Sequence, residues 1–222
     1  MDRRSPFSRY YDITSHPVVL REWEPLTPRE LLLQEVVSSC GAAAGFTLQR
    51  LWRDPRKARK KLLALHRAGF LCLHKLKGER ETNVFSFSPR FSLDPGLRQL
   101  AVAQFYVRLR EVRDCALAPQ GGCWTLSYRD GEREKSLRVL VFRKKSDDPL
   151  AFLPLMREPA VVIADEFTDA FRGFPVRFVL DSDLMSGPLR FYLPDGREDM
   201  QAPFKKIQKN LDKVLTAADN LC

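Results

Sequence analysis

The segment that decides the fold of this chain is residues 54–70, which read DPRKARKKLLALHRAGF. Asp54 followed by Pro55 signals a helix start, because aspartate caps a first turn and proline fits the first helical position. Gly69 is a typical helix stop. An apolar stripe with the i, i+4, i+7 spacing of one helix face lies between these signals: Ala58, Leu62 and Leu65. The segment therefore predicts a short helix that packs through one face.

The same helix concentrates positive charge. The cations in it and just before it are Arg50, Arg53, Arg56, Lys57, Arg59, Lys60, Lys61 and Arg67. If the apolar stripe faces the core, an advance of about 100° per residue turns most cations of the first half outward. These are Arg56, Lys57, Lys60 and Lys61. Exposed cations near a helix N-terminus oppose the helix dipole by about 0.3–1 kcal/mol each, so their placement indicates a polyanionic partner.

Two further helix signals precede this segment. Residues 27–30, TPRE, match a capping box and predict a first helix to about Cys40, which Gly41 ends. A short second helix with Thr47 as its cap is expected next. Three helices in this order are typical of a helix-turn-helix domain.

Two β-rich runs follow the basic helix. They cover residues 70–76 and 83–87 and flank a charged tip, residues 77–80, in a pattern typical of a β-hairpin. The cations of this hairpin are Lys75, Lys77 and Arg80. The order helix, short helix, basic helix and hairpin predicts a winged helix-turn-helix in residues 26–92. In such a domain the third helix enters the major groove and the hairpin reaches the neighbouring backbone.

The charge distribution favours the same partner. The chain has 222 residues and a net charge of +9, of which residues 1–92 carry +8. We therefore expect double-stranded DNA to bind the N-terminal part. No Asn or Gln lies on the outer face of the basic helix, so arginine contacts to guanine and DNA shape are the available routes to specificity. The alternatives are a solvated basic face and a winged helix that acts as a protein-interaction adaptor.

The N-terminal residues 1–25 are interpreted as an arm with one short extended piece at residues 17–20. Arg3, Arg4 and Arg9 could contact phosphates, and a packed or frayed terminus is the alternative.

In the second half of the chain, the sequence pattern predicts mainly strands with a few helices. A connecting helix is predicted within residues 93–113, with Asp94 as its cap, followed by a small α/β domain in residues 114–222 with a central mixed sheet. The whole chain is therefore assigned to the α+β class. Strands are predicted at residues 124–128, 136–142, 160–164, 176–180 and 189–193. A last helix is predicted at residues 202–221 and is expected to pack against the sheet, while its apolar spacing keeps a homodimer through this helix as the alternative.

Two family resemblances follow from these residues. The pattern Leu48-x-x-Leu51-Trp52, with the later run at residues 58–71, resembles the second and third helices of MarR-like winged-helix regulators. The longer order, with the runs at 160–164 and 176–180, resembles the replication-relaxation proteins of bacterial plasmids and integrated elements. That resemblance implies DNA binding in replication control or transcription regulation of a mobile element. It also implies a C-terminal domain similar to a restriction-endonuclease core, although the Glu-x-Asp strand expected there reads LRVLVF in this chain.

A metal-dependent nuclease is the enzyme alternative. Four acidic residues follow predicted strands and are its candidates: Asp165, Glu166, Asp181 and Asp183. No Asp/Glu-x-Lys pair lies on a strand, and helix caps or turns are the other role open to these acids. The five cysteines and three histidines are scattered without metal-ligand spacing, so no catalytic, metal or cofactor site is assigned. Because no leader and no membrane-spanning apolar run is found, we expect a cytoplasmic protein without a membrane partner.

Overall fold

The computed structural model describes residues 5–25 and 27–199. The chain belongs to the α+β class and contains two sheets in this described part. It divides into two compact units, unit 1 (Met1–Val107) and unit 2 (Arg108–Cys222). The helix predicted to connect two domains spans Leu93–Arg110, and the division between the units falls in its last turn.

Unit 1 alternates short strands and helices. In chain order its elements are β1 (Asp12–His16), α1 (Pro28–Cys40), β2 (Ala42–Ala44), α2 (Gly45–Gln49), α3 (Pro55–Arg67), β3 (Cys72–Lys77), β4 (Thr82–Ser86) and α4 (Leu93–Arg110). The strands form one antiparallel sheet in the order β1-β3-β4-β2.

The predicted starts of α1 and α3 are confirmed. Thr27 forms a complete capping box with Glu30, and Gly41 ends α1 with a φ of 89° that only glycine adopts easily. At α3, the Asp54 carboxylate accepts a hydrogen bond of 2.8 Å from the backbone N–H of Arg56. These local signals depend on neighbouring residues alone, which explains why the sequence suffices to predict them.

The predicted cap of the second helix is wrong. α2 begins directly after Ala44, and Thr47 lies inside the helix. Its hydroxyl donates a 2.7 Å hydrogen bond to Gln104 Oε1 of α4, and both side chains are buried. The preceding residues 42–44 are three alanines that form β2 only because they pair with β4. Asp94 is likewise no cap: it lies in the first turn of α4 and pairs with Arg98.

The extended piece predicted at residues 17–20 is also displaced. The strand is β1, five residues earlier, which pairs antiparallel with β3 from Asp12–Lys77 to His16–Leu73. Val19, inside the predicted piece, is 89% exposed. The mostly polar β1 sequence DITSH carries little strand signal, and its conformation depends on the open edge that β3 offers.

Unit 2 is built on a five-stranded mixed sheet. Its remaining elements are β5 (Cys115–Gln120), β6 (Cys123–Asp130), β7 (Arg133–Phe142), α5 (Pro149–Phe152), β8 (Ala160–Ala164), β9 (Val176–Leu180) and α6 (Asp181–Met185). The strand order follows the chain, with β5, β6 and β7 antiparallel and β7, β8 and β9 parallel. A cluster of rings, including Phe142, Phe171 and Phe178, packs on the sheet.

Four of the five strands predicted in this half are confirmed. The predicted strand at residues 189–193 is reduced to isolated bridges at Tyr192, one to Phe178 and one to Glu198. β5 was not predicted, because its sequence CALAPQ is short, only weakly apolar and contains a proline. The helix predicted at residues 202–221, with the apolar spacing on which the homodimer alternative depends, lies outside the described residues. Within the described part, no helix is long and apolar enough to cross a membrane.

Candidate nucleic-acid interface

α3 is amphipathic in the sense that the sequence predicts. Its buried residues are Ala58, Leu62 and Leu65, each at most 4% exposed. Opposite this stripe, at about 160–200° around the helix, lie Arg56, Lys60 and Arg67, which we call the outward row. All three side chains are exposed. The helix therefore presents a line of cations to solvent along most of its length.

The other predicted α3 cations divide into two groups. Lys57 and Arg59 are exposed on the flanks of the outward row. Lys61 differs, because it is only partly exposed and its ammonium pairs with the Glu30 carboxylate of α1. Glu30 is buried and also accepts a hydrogen bond from the backbone N–H of Thr27. Lys61 therefore links α3 to α1 through an ion pair. The sequence-based prediction that Lys61 is free on the outer face is wrong.

Arg50 and Arg53 lie in the turn between α2 and α3, and both side chains are exposed. Among the described residues no carboxylate pairs with Arg53 or with the outward row. Asp54 is the single acidic residue of the turn and acts as the helix cap, since its carboxylate accepts from the backbone N–H groups of Arg56 and Lys57.

The β3–β4 hairpin carries its own charge pattern. Its two glutamates are engaged in ion pairs, Glu81 with Lys75 at 3.1 Å and Glu79 with Arg9 at 3.2 Å. Lys77 and Arg80 remain exposed at the tip. The acidic residues that dilute the charge of this hairpin in the sequence are therefore neutralised in the fold. Arg9 takes part in that neutralisation, while Arg3 and Arg4 lie outside the described residues.

A buried histidine anchors the hairpin. The ring of His74 on β3 contacts Ser15 Oγ through Nδ1 at 2.8 Å and Ser86 Oγ through Nε2 at 2.9 Å. Ser86 donates to the carbonyl of Ser88 at 2.7 Å, so its hydroxyl must accept from Nε2–H, and Nδ1 accepts from Ser15. Burial lowers the pKa of His74, which keeps the ring neutral. Sequence reasoning missed this residue, because nothing local marks its partners.

The carboxylates proposed for a nuclease are occupied within unit 2. Asp181 forms a buried ion pair with Arg143 at 3.1 Å, and Asp183 accepts a 2.7 Å hydrogen bond from the Tyr192 hydroxyl. Asp165 accepts from the backbone N–H of Lys144, and Glu166 pairs with the Lys144 ammonium at 3.4 Å. In the described part of the chain, no three His, Cys, Asp or Glu side chains cluster so as to hold a metal ion.

Comparison of the chain with protein-family models, with curated proteins and with solved structures found no match.

Proposed function

We propose that residues 26–92 form a winged helix-turn-helix domain that binds double-stranded DNA. α3 would enter the major groove, and the tip of the β3–β4 hairpin would contact the neighbouring backbone. The observation that carries this proposal is the outward row of α3, which faces solvent without a carboxylate partner among the described residues.

The order of elements supports the proposal. α1, β2, α2, α3 and the β3–β4 hairpin follow one another in the order of a winged helix, and β2 closes the small sheet by pairing with β4. The hairpin is held by the His74 network and by β1, so its tip has a defined position for backbone contacts.

Electrostatics supports it further. Carboxylates neutralise Lys61, Lys75 and Arg9, whereas the outward row and the hairpin-tip cations Lys77 and Arg80 have no carboxylate partner within residues 5–25 and 27–199. Each phosphate that these cations neutralise releases condensed counterions, so log K falls by about 0.9 for each contact per unit of log salt. Five contacts would give a slope of roughly −4 to −5.

A salt titration of duplex binding tests the proposal. Fluorescence anisotropy with a labelled random-sequence duplex measures affinity between low and physiological salt for the wild type and for Arg56→Glu/Lys60→Glu. We expect a steep slope for the wild type, and for the variant a slope flatter by about 2 with at least a hundredfold loss of affinity at low salt.

A charge-matched control separates local contact from net charge. Arg157→Glu/Lys145→Glu changes the net charge equally at two exposed positions of unit 2. This control should keep most of the wild-type affinity and slope. Equal losses of duplex affinity in both double variants would show that the net charge, and not the position of the cations on α3, determines binding. Absence of duplex binding even at low salt would exclude the proposal and favour the protein-interaction adaptor.

The biological role that we attach to this binding is replication control or transcription regulation, as the resemblance in the sequence implies. Selection of bound fragments from a random duplex library measures whether any sequence is preferred. Because the outward row holds two arginines, we expect enrichment of guanine steps if contacts to base edges contribute.

A further inference from the structure

The N-terminal segment, residues 5–11, packs against the rest of unit 1 at several points. Phe7 is 1% exposed, and its ring centroid lies 6.2 Å from that of an aromatic ring in α2. Tyr11 is buried as well. Arg9 pairs at 3.2 Å with Glu79, which lies in the tip of the β3–β4 hairpin. The chain on both sides of position 10 is therefore fixed by contacts.

A close approach at Gly78 places this segment beside the hairpin turn. A Cβ at Gly78 would lie 3.0 Å from the Tyr11 ring and 3.8 Å from the carbonyl oxygen of Tyr10. A glycine is therefore needed for the two chains to approach so closely. The pairing of β1 with β3, which includes Asp12 opposite Lys77, continues the same alignment. The backbone of Tyr10 therefore runs alongside the turn that carries the hairpin-tip cations.

The side chain of Tyr10 points into solvent although its neighbours are packed. It is 73% exposed, and it is the one exposed aromatic side chain within residues 5–25 and 27–199. An aromatic ring gains free energy when its surface is removed from water, and here the fold leaves that surface uncovered. Tyr10 therefore offers a flat apolar surface, on a fixed backbone, to a partner.

The charges beside Tyr10 favour a polyanionic partner. Both glutamates of the hairpin tip are engaged in ion pairs, whereas Lys77 and Arg80 are exposed. Asp12, opposite Lys77 in the β1–β3 register, is the carboxylate that opposes these two cations. An exposed aromatic ring next to cations is the combination with which proteins bind single-stranded nucleic acid, since the ring stacks on bases and the cations neutralise phosphates.

We propose that Tyr10, Lys77 and Arg80 bind an unpaired nucleotide next to the duplex that α3 contacts. The Tyr10 ring would stack on the unpaired base, and the two cations would neutralise the phosphates that flank it. In an intact duplex the bases stack on one another, so the ring finds a free base face only where a strand is unpaired. This inference rests on the proposed DNA-binding function and adds to it a preference for junctions between duplex and single strand.

Fluorescence anisotropy with two labelled DNA probes tests the preference. One probe is a duplex with a single-stranded extension, and the other is a blunt duplex with the same number of phosphates. We expect the full chain to bind the extended duplex about tenfold more tightly than the blunt duplex. Equal affinities would overturn this inference and leave the proposed duplex binding intact. Binding of a free single strand that depends on Tyr10, without binding of the blunt duplex, would support this surface and exclude the duplex function.

Variants at Tyr10 separate stacking from other contacts. Tyr10→Ala should weaken binding of the extended duplex about tenfold and change that of the blunt duplex by less than about twofold. Tyr10→Phe keeps the ring and should retain the preference. Leu150→Ala, at a position of unit 2 that is 69% exposed, is the matched control and should bind like the wild type. A loss in Tyr10→Phe as large as in Tyr10→Ala would contradict stacking. Unchanged binding by folded Tyr10→Ala would overturn the inference and favour a protein partner.

Two further measurements locate the contact. Iodouracil at the first unpaired position should cross-link to Tyr10 on irradiation, and mass spectrometry of the digested complex identifies the residue. Cross-links to α3 alone would contradict the inference. Asp12→Asn removes the opposing carboxylate and should tighten binding of the extended duplex, because the phosphates then meet the two cations without a nearby negative charge. Weaker binding by the folded Asp12 variant would contradict a polyanion at this surface.

Discussion

α3 in unit 1 and the carboxyl ends of β7 and β9 in unit 2 use charge in opposite ways. On α3 the outward row is exposed and has no carboxylate partner in the described part of the chain. After β7 and β9, Arg143 and Asp181 are buried against each other, 6% and 1% exposed. Both regions hold charged residues next to the end of a helix or strand. From the sequence alone, the α3 cations indicate DNA binding and the acidic residues after the strands are candidates for a nuclease site.

This contrast separates charges that remain available to a partner from charges that the fold already uses. Removing one member of a buried ion pair destabilises the fold, because the remaining charge loses its opposite charge and is shielded from solvent. An exposed cation contributes little to the fold and can neutralise a phosphate at small cost. We therefore propose that α3 carries the function and that the Arg143–Asp181 pair has a structural role, and variants in both regions test this contrast.

The largest effect is expected at the buried pair. Asp181→Ala leaves the Arg143 guanidinium buried without its carboxylate, so the free energy of unfolding should fall by about 3–5 kcal/mol. Urea denaturation followed by circular dichroism measures it. Glu166→Ala, which breaks an exposed pair with Lys144, is the control and should cost at most about 1 kcal/mol. A loss below about 1 kcal/mol for Asp181→Ala would reopen the nuclease hypothesis.

Neighbouring lysines on α3 should behave differently from each other. Lys61→Ala removes the ammonium that pairs with the buried Glu30 carboxylate and should cost roughly 1–3 kcal/mol, because a buried carboxylate then loses this positively charged partner. Lys60→Ala, one residue away in the outward row, should stay within about 0.5 kcal/mol. Chemical denaturation of both variants measures the two changes in the free energy of unfolding. Equal effects would contradict the division of α3 into structural and free cations.

A pH dependence is expected from His74. Because burial lowers its pKa below the ordinary value of about 6.5, the unfolded chain binds a proton in a range where the folded chain does not. The contribution of His74 to the free energy of unfolding is therefore complete above about pH 6.5 and decreases as the pH falls below it. His74→Gln should unfold at lower temperature at neutral pH but lose less stability between pH 7.5 and 5.5. A His74→Gln variant that loses as much stability as the wild type over this pH range would show that His74 is not responsible for the dependence.

The smallest effect has the opposite sign. Arg56→Glu replaces a cation at the first turn of α3 with an anion that the helix dipole favours, so unfolding should become harder by about 0.3–1 kcal/mol. The same variant should bind duplex DNA more weakly. Thermal unfolding and anisotropy on one preparation measure both. A variant that loses both stability and DNA binding would show that Arg56 serves the fold.

Several features of the candidate interface were open to prediction from the sequence because their causes are local. The caps at Thr27 and Asp54, the apolar stripe of α3 and the β3–β4 hairpin follow from residues within a few positions of one another. The charge of the outward row follows from helical periodicity once the stripe is known. None of these features depends on contacts between residues far apart in the sequence.

Tertiary structure alone decided the remaining features. Three alanines became a strand because β4 lies beside them, and a polar N-terminal segment became β1 because β3 had an open edge. Lys61 became structural because Glu30, 31 residues earlier, is buried next to it. A sequence specifies hydrogen bonds between near neighbours directly, whereas the partners of an edge strand or a buried charge depend on how the whole unit packs.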